Sequence, residues 1–411
     1  MIDVSTAAAR SLPLPLFGVM ALPSGMGGGF LTVTLGYLLT HHGFSVAAVA
    51  GLLSLALLPS TLKFLVGPII DTSLTPRLWY LIAITVAATA AASFAVVPLR
   101  PSFLALLTII SVLLTAATSF AGSAKNGVIA LTVPVGRRGV LAGWSQSGNL
   151  GGVGLGGGAA LWIATHAGGI GVAALALAVA ILVCGAPMLW ARMPPATTAP
   201  RLIAQLGGLG RAMLELVRSR SGLLAMISLV LPLGLGAAGH LLPAVAGDWR
   251  ASADLVALTT GALAGLTSIP GCLIGGYFCG RFPPRTVLMA SGLACGFGEA
   301  AMAWSPHTPL MFATFVLLNS LLLGVNWAAT SGVTFAALPV VGAATVGAVL
   351  SSLANIPVAG VTAFVGGVQV RHGSSAMLFA EAGLACAAVA AYGLLVWLWR
   401  PAPNRALTVR P

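Results

Sequence analysis

The chain has 411 residues, of which 58% are apolar and only 6% are charged, and its mean hydropathy is +1.03. This composition excludes a soluble globular domain. The net charge of +12 does not indicate nucleic-acid binding, because the basic residues fall mainly in alternate loops between apolar runs, as they do in polytopic membrane proteins.

Twelve apolar runs are each long enough to cross a hydrocarbon core of about 30 Å. We number the predicted spans in chain order, at 14–40, 46–70, 78–97, 102–130, 140–163, 170–190, 222–245, 255–279, 286–304, 310–335, 346–369 and 376–399. The first run is too long for the apolar part of a cleavable signal peptide, so none is expected. The predicted fold class is an all-α polytopic membrane protein.

The arginines are distributed unequally between the two sides of these spans. Three lie on the predicted outer side, at Arg100, Arg250 and Arg371. Fourteen lie on the predicted cytoplasmic side, at Arg10, Arg77, Arg137, Arg138, Arg192, Arg201, Arg211, Arg218, Arg220, Arg281, Arg285, Arg400, Arg405 and Arg410. The positive-inside rule therefore predicts that both termini are cytoplasmic, which an even number of spans requires.

Spans two and four each carry a lysine, Lys63 and Lys125, and these are the only two lysines in the chain. Hydrocarbon tolerates a lysine only where it faces protein or a water-filled interior, which makes both lysines functional candidates. At 1.5 Å per residue, each lies roughly 12–14 Å from its cytoplasmic helix end, in one layer. A compact ammonium group suits a site that binds an anionic group and releases it. The alternative is that both side chains snorkel to the headgroups.

Span two ends at Asp71, and a short polar turn leads to Arg77. We predict that Asp71, near helix ends and basic partners, braces the cytoplasmic face together with Arg77, and that Arg281 and Arg285 act as further gating residues. Plain topogenic charge is the alternative. At the equivalent position in the second half stands Cys279, so a charged gate would be one-sided.

Two groups of glycines, Gly25–Gly29 in span one and Gly148–Gly158 in span five, predict closely packed helices. The hydrophilic segment 191–221 divides the chain into six-span halves, 1–190 and 222–411. Its apolar stripe predicts an amphipathic helix at the cytoplasmic lipid surface; a solvated linker helix is the alternative. The stripe consists of Ile203, Leu206, Gly210, Met213 and Val217.

The halves also share residues at nearly constant offsets. Gly67 aligns with Gly275, and Pro76-Arg77 aligns with Pro284-Arg285. At a slightly shorter offset, Ser145 aligns with Ser351 and Asn149 with Asn355. Two six-helix halves that repeat each other are the plan of major facilitator transporters.

The run Lys63–Asp71, with Thr75-Pro76-Arg77 after it, resembles the AmpG-like branch of the major facilitator superfamily, which contains muropeptide permeases and acetyl-CoA transporters. The Arg138-Gly139 pair and the glycine-rich body of span five are similar to that branch too. Two features depart from it: Thr72 follows Asp71 where an arginine is usual, and span four has Lys125-Asn126 in place of acidic residues. The resemblance implies a twelve-helix fold, and siderophore-uptake permeases belong to the same wider group.

In this fold, spans one, four, seven and ten line a central cavity. The resemblance therefore implies lining roles for polar and aromatic residues on those spans, namely Tyr37, Asn126, His240, Asn319, Asn326 and Trp327. On spans five and eleven, Gln146, Asn149, Ser351 and Asn355 either line the flanks of the cavity or bridge helices.

Glu299 and Glu381 are the only carboxylates within spans, which makes them candidates for proton coupling, as is His240. The alternatives are that the carboxylates cap or anchor helices, that His240 is a packing residue, and that transport is uncoupled. The other five histidines, in outer loops, and the five cysteines, in spans, show no metal-ligand spacing. No catalytic motif is present, so we predict no metal, no cofactor and no enzymatic activity.

The predicted function is a permease of the bacterial inner membrane that works by alternating access. Its expected cargo is a polar, anionic organic solute such as a muropeptide or siderophore, imported with protons. The expected partners are that solute, protons and the lipid bilayer, without nucleic acid, and the chain is expected to be a monomer. Two alternatives remain open: an exporter of drugs or metabolites with the same fold, and a membrane sensor or scaffold that does not transport.

Overall fold

The computed structural model describes residues 12–193, 202–234 and 236–399, which form helices and connecting loops. Eight of the described helices are long and apolar enough to cross a membrane, namely Leu14–His41, Pro101–Thr132, Gly169–Trp190, Asp254–Arg281, Pro284–Trp304, Pro309–Ala336, Ala343–His372 and Ser374–Leu398. A ninth crossing is the bent pair Ala47–Thr61 and Lys63–Thr72. Both termini lie outside the described residues, as do Arg10, Arg201, Arg400, Arg405 and Arg410.

Three further helical segments correspond to the remaining predicted spans. Span three is the helix Pro76–Ser93, which is short and rich in alanine. Span five is a continuous helical rod from Arg138 to His166 whose middle is made of glycine. These two are less apolar than the others because their sequences favour close helix contacts over contact with lipid. Span seven is interrupted.

The interruption of span seven corrects the prediction of a continuous helix over 222–245. The helix Arg220–Val230 ends before a non-helical stretch, and short turns then continue from Ala238 to Trp249. Gly234 and Gly236 have φ angles of 57° and 66° in the left-handed region. Glycine adopts this conformation without a Cβ clash, which is why the helix can break at this position.

Span two bends by 41° between its two helices. Pro59 lies inside the first helix, and the 3₁₀ segment Lys63–Leu65 joins that helix to the second. The second helix begins at Gly67-Pro68, and Pro68 removes one backbone hydrogen bond and clashes with the preceding turn, which is the 3₁₀ segment, so it accounts for the break here. The bend places Lys63 where the axis of the span changes direction.

Spans one and five pack backbone against backbone, as their glycines predict. A Cβ built on Gly25 would lie 1.8 Å from the carbonyl oxygen of Asn149, and one built on Gly148 would lie 1.8 Å from that of Gly18. The Thr34 hydroxyl donates to the carbonyl oxygen of Gly157 at 2.8 Å. These contacts lie within the N-terminal half, so they hold that half together.

The two halves meet along two seams: span two contacts span eleven, and span five contacts spans eight and ten. The buried core of the N-terminal half continues into the C-terminal half through Phe335, Leu338 and Ala344. We call the end of the bundle where this occurs the arginine-rich end, because it carries Arg77, Arg137, Arg138, Arg281 and Arg285.

The segment between the halves contains the helix Leu202–Arg218. Its buried side chains are Leu209 and Leu216, whereas Val217 of the predicted apolar stripe is exposed. Leu216 belongs to a core cluster of the C-terminal half, so one face of this helix packs on protein, and contact of the predicted apolar stripe with lipid stays a prediction. The side chains of Ile203 and Leu206 lie outside the described residues. The division into 1–190, 191–221 and 222–411 stays a prediction.

Candidate functional site

A cavity of about 550 Å³ lies between the two halves and is lined by spans one, two, four, five, seven, ten and eleven. Its size is that of a typical small-molecule site. Eleven of its lining residues carry hydroxyl groups, and four are amides. Lys63 and Lys125 both line it, and no aspartate or glutamate is among its described lining residues. The cavity is therefore polar and cationic.

The two lysines reach the cavity in different ways. Lys63 is half-buried at the bend of span two, whereas Lys125 is only 8% exposed within span four. The ammonium group of Lys125 donates to the Ser145 hydroxyl at 2.8 Å, which leaves two of its three protons available to a ligand. The shared depth predicted from helix geometry thus corresponds to one shared cavity.

Several other predicted residues also line this cavity. Asn126 and Asn149 come from the N-terminal half, while Trp327 and His240 come from the C-terminal half. Gln146, Ser351 and Asn355 complete this group. The Gln146 amide also donates to the carbonyl oxygen of Trp327 at 3.4 Å, a weak contact between the halves. Amides and an indole can hydrogen-bond and stack against a polar organic molecule.

Three predicted lining residues lie elsewhere. Tyr37 stacks on His41, with ring centroids 3.9 Å apart, and is 44% exposed. Asn326 is buried and donates to the carbonyl oxygen of Leu233 at 3.0 Å, because the broken span seven leaves that carbonyl without a helical partner. Asn319 is half-buried on span ten and is not among the lining residues.

Asp71 closes the seam between spans two and eleven. Its carboxylate accepts from the backbone N–H of Ala344 at 3.2 Å and from both the N–H and the hydroxyl of Thr345, at 2.8 and 2.7 Å. These residues form the first turn of span eleven, whose own N-cap is Gly342. Asp71 therefore caps a helix of the other half, where a negative charge also suits the helix dipole.

We expect Asp71→Ala to weaken closure of the arginine-rich end by about 1 kcal/mol, the usual value of an N-cap, which is roughly five-fold in the ratio of closed to open protein. Asp71→Asn should cost less, because its one carbonyl oxygen can still accept from Thr345, although the charge and the oxygen that accepts from Ala344 are lost. Spin labels at Leu74→Cys and Val341→Cys, both exposed at this end on opposite halves, would measure the distance. Equal distances in wild type and Asp71→Ala would contradict this role.

Arg138 is a functional candidate that the sequence analysis did not single out. It is 4% exposed, and its guanidinium donates to four backbone carbonyl oxygens. Two belong to Ala130 and Val133, at the end of span four; the other two, at 3.1 and 2.9 Å, belong to Phe335 and Leu338, at the end of span ten. The guanidinium therefore hydrogen-bonds to carbonyl groups at the C-terminal ends of two helices that belong to different halves, where a positive charge is favourable.

The other predicted gating arginines act within one half. The Arg77 guanidinium donates to the carbonyl oxygens of Leu189 and Ala191, at the end of span six. The Arg281 guanidinium lies 4.3 Å from the ring centroid of Tyr277, on its own helix. Arg285 lines a groove beside Glu215 of the linking helix. In this structure, closure of the arginine-rich end relies on Asp71 and Arg138.

Glu299 and Glu381, the predicted coupling carboxylates, lie apart from the cavity. They are buried on spans nine and twelve, which pack together beside the interrupted span seven. His240, the third candidate, lies on that interrupted span and lines the cavity. Within the described ranges, no three His, Cys, Asp or Glu side chains are grouped to hold a metal ion.

Comparison with known proteins agrees with this architecture. The family model described as Major Facilitator Superfamily matches residues 17–359. The transporter FucP in its outward conformation is similar with a TM-score of 0.71 and 15% identity, covering 93% of this chain and 97% of that one. The proton:xylose symporter XylE, bound to 6-bromo-6-deoxy-D-glucose, has a TM-score of 0.70 and 15% identity, covering 94% and 96%.

The human organic anion transporter MFSD10 is also similar, with a TM-score of 0.67 and 16% identity, covering 95% of this chain and 100% of that one. No curated protein sequence matches the chain significantly. At these identities the likeness to solved structures concerns the fold alone. The twelve-helix architecture predicted from the sequence is confirmed by the family match and by these structures.

Proposed function

This chain belongs to the major facilitator superfamily and is a secondary transporter, and we propose that it moves a polar, anionic organic solute through the central cavity by alternating access. Cargo, direction and coupling are inferred from the cavity and from the resemblance of span two to the AmpG-like branch. The proposed location is the inner membrane of a bacterium, with the arginine-rich end facing the cytoplasm.

One observation carries the proposal of an anionic cargo. Lys63 and Lys125 line one cavity whose described lining has no carboxylate to neutralise them. A buried cation without a counter-ion is costly, so the site favours a ligand that brings negative charge. The surrounding hydroxyl and amide groups suit a cargo with many hydrogen-bonding atoms, and Trp327 offers a stacking surface.

The conformational state of the protein follows from which end is closed. Among the described residues, hydrogen bonds between the halves lie at the arginine-rich end or at mid-depth. With that end cytoplasmic, this is an outward-facing state, ready to accept cargo from outside. The similar FucP structure is in an outward conformation too. An importer and an exporter both pass through this state, so we favour proton-linked import over export on the resemblance of span two to the AmpG-like branch.

The identity of the cargo rests on the resemblance of Lys63–Asp71 to AmpG-like permeases, which favours a muropeptide or a siderophore. The solved structures with this fold include a sugar symporter and an organic anion transporter, so the fold accommodates both kinds of cargo. The lysine pair favours the anion for this chain. In the proposed cycle, Asp71 and Arg138 lock the cytoplasmic side until the loaded cavity switches.

The test is uptake by whole cells of a labelled anhydromuropeptide and of an iron-labelled ferric siderophore. We expect Lys63→Ala with Lys125→Ala to lower uptake of the transported compound by about 100-fold or more, since each of the two charged hydrogen bonds contributes about 1.5–3 kcal/mol. Arg137→Ala, which removes an exposed cation, is the matched control and should transport normally.

A protonophore separates the two directions, because it should abolish uptake by an importer and increase accumulation of an exporter's cargo. Expression and monodispersity of the double variant in detergent would exclude misfolding. Undiminished uptake in a folded double variant would reject the lysine site. If neither compound enters cells in a protein-dependent manner, the proposed cargo is wrong.

A further inference from the structure

Glu299 and Glu381 form a buried carboxyl pair at the junction of spans seven, nine and twelve. They are 3% and 2% exposed, and they lie close enough for their charges to interact. Spans nine and twelve are held together here by a close contact, because a Cβ on Gly296 would lie 3.2 Å from that of Ala385. Two carboxylates this deeply buried cannot both be ionised without a large electrostatic cost.

The two carboxyl groups have different surroundings. Glu381 accepts hydrogen bonds from the backbone N–H groups of Ala237, at 2.8 Å, and Ala238. These N–H groups lie immediately after the break in span seven, where no preceding helical turn can accept them. A carboxylate held by two backbone donors is suited to its ionised form.

Glu299 has no such donors. Neither of its carboxyl oxygens has a hydrogen-bond partner among the residues that the structure describes, and both are buried. An ionised carboxylate in that position would be an uncompensated charge, so the arrangement suits the neutral, protonated form. The pair therefore fits one negative charge and one proton.

We propose that the Glu299–Glu381 pair is the proton-binding site of this transporter and that it acts on the cavity through the break in span seven. Glu381 holds the backbone at Ala237 and Ala238, and His240, two residues further on, lines the cavity. When Glu299 loses its proton to water, two negative charges lie together. Their repulsion changes the hydrogen bonds that Glu381 accepts from Ala237 and Ala238, and this change moves the cavity wall. The reverse step forms the O–H bond again, with a proton taken from water.

Among the described residues, no Lys, Arg or His side chain hydrogen-bonds to either carboxyl group; on span seven, the titratable residue nearest in sequence to Ala238 is His240. Cys295 is the titratable neighbour on span nine itself. Span ten carries no titratable side chain. On spans nine and twelve, Arg285 and Tyr392 are more than ten residues away, roughly 15–20 Å along the helices, at the arginine-rich end. Span eight has few contacts with span nine; its titratable residues are Cys272, Tyr277, Cys279 and Arg281. The remaining titratable residue of span twelve, Cys386, is exposed.

The sign of the pH dependence follows from the state observed. The arginine-rich end is closed while Glu299 is in surroundings that suit its protonated form. Protonation should therefore favour this state, and raising the pH should shift the protein towards the state in which the opposite end is closed. The assignment rests on the proposed function, because it needs a transporter whose open end alternates.

The test needs no substrate. Spin labels at Ser102→Cys and His372→Cys report the opening of the end opposite the arginine-rich end. Both positions are exposed there, on opposite halves. Cys184→Ala and Cys386→Ala remove the two cysteines that are not buried. In wild-type protein reconstituted into liposomes, we expect the distance between the labels to shorten as the pH is raised from 6 to 9.

Glu299→Gln should keep the long distance at both pH values, because its side chain cannot release a proton. Glu299→Leu is a second neutral variant that should behave in the same way, which excludes a local effect of the introduced amide. Glu381→Gln should also lose the pH response. Asp254→Asn, which removes an exposed carboxylate, should respond like wild type. Thermal unfolding in detergent would verify that each variant is folded.

Two results would overturn the assignment: a label distance in wild type that does not depend on pH, or a wild-type pH response in both folded Glu299 variants. Neither result bears on the lysine cavity, whose test is the uptake lost in the double lysine variant. Conversely, a pH response that depends on Glu299, together with undiminished uptake in the double lysine variant, would support the proton site while rejecting the proposed cargo site.

Discussion

Arg138→Ala is expected to lower transport about 100-fold while the protein remains folded. The guanidinium makes two hydrogen bonds across the seam, to the carbonyl oxygens of Phe335 and Leu338. Charged hydrogen bonds contribute about 1.5–3 kcal/mol each, so their loss shifts the balance between the two states by roughly 3 kcal/mol or more. A transporter that cannot close its arginine-rich end cannot complete the cycle.

The matched variants for this prediction are Arg138→Lys and Arg137→Ala. Lysine keeps the charge, but its three donors lie on one nitrogen and lack the wide planar fork with which the guanidinium spans the two helix ends, so most of the loss should remain. Arg137 is exposed, and its replacement should have little effect. The label pair at Leu74→Cys and Val341→Cys should show a longer distance in Arg138→Ala. A wild-type distance would mean that Arg138 does not hold the seam.

Gly139→Ala is expected to have a comparable effect for a steric reason. A Cβ at Gly139 would lie 2.1 Å from the carbonyl oxygen of Cys279 on span eight, across the seam. Backbone atoms cannot move aside as a flexible side chain can, so the seam must open. Overpacking of this kind costs about 1–3 kcal/mol or more, which is roughly 5- to 150-fold in the population of the closed state.

Two alanine variants distinguish a gate from ordinary packing. Gly136 has free space around it, so Gly136→Ala should leave both transport and stability unchanged. Gly25 contacts Asn149 within the N-terminal half, so Gly25→Ala should lower the thermal unfolding temperature. Gly139→Ala should unfold near the wild-type temperature but show the longer Leu74–Val341 label distance. A large loss of stability in Gly139→Ala would place this contact in the static core.

The part of the site that could be predicted from the sequence is the part governed by helix geometry and by the cost of charge in lipid. Lys63 and Lys125 stand out because a lysine inside an apolar span needs a polar interior, and their depths follow from counting residues. The glycines of spans one and five predicted close helix packing, and the structure shows that these two spans pack against each other. These inferences need only the regular rise of a helix.

The roles of Asn326 and Arg138 could not be predicted from the sequence. They depend on which side chains hydrogen-bond to the backbone groups at helix ends and breaks, and hydropathy does not reveal this. Asn326 was predicted to bind cargo but serves the carbonyl oxygen of Leu233, because Gly234 and Gly236 interrupt span seven. Arg138 resembles a topogenic charge in the sequence, and its four carbonyl partners come from two separate regions of the chain, the ends of spans four and ten. The glycine pair in span seven and the Arg138-Gly139 pair were the available clues.

The seam between spans five and eight also affects how quickly the protein can switch. At Gly139, Gly143 and Gly276 the two backbones meet directly, without interleaved side chains. Closing such a seam freezes no rotamers, so it costs little conformational entropy. The temperature dependence of the switch should then come mainly from the enthalpy of the bonds made by Asp71 and Arg138. Cooling should therefore favour the state in which those bonds are made.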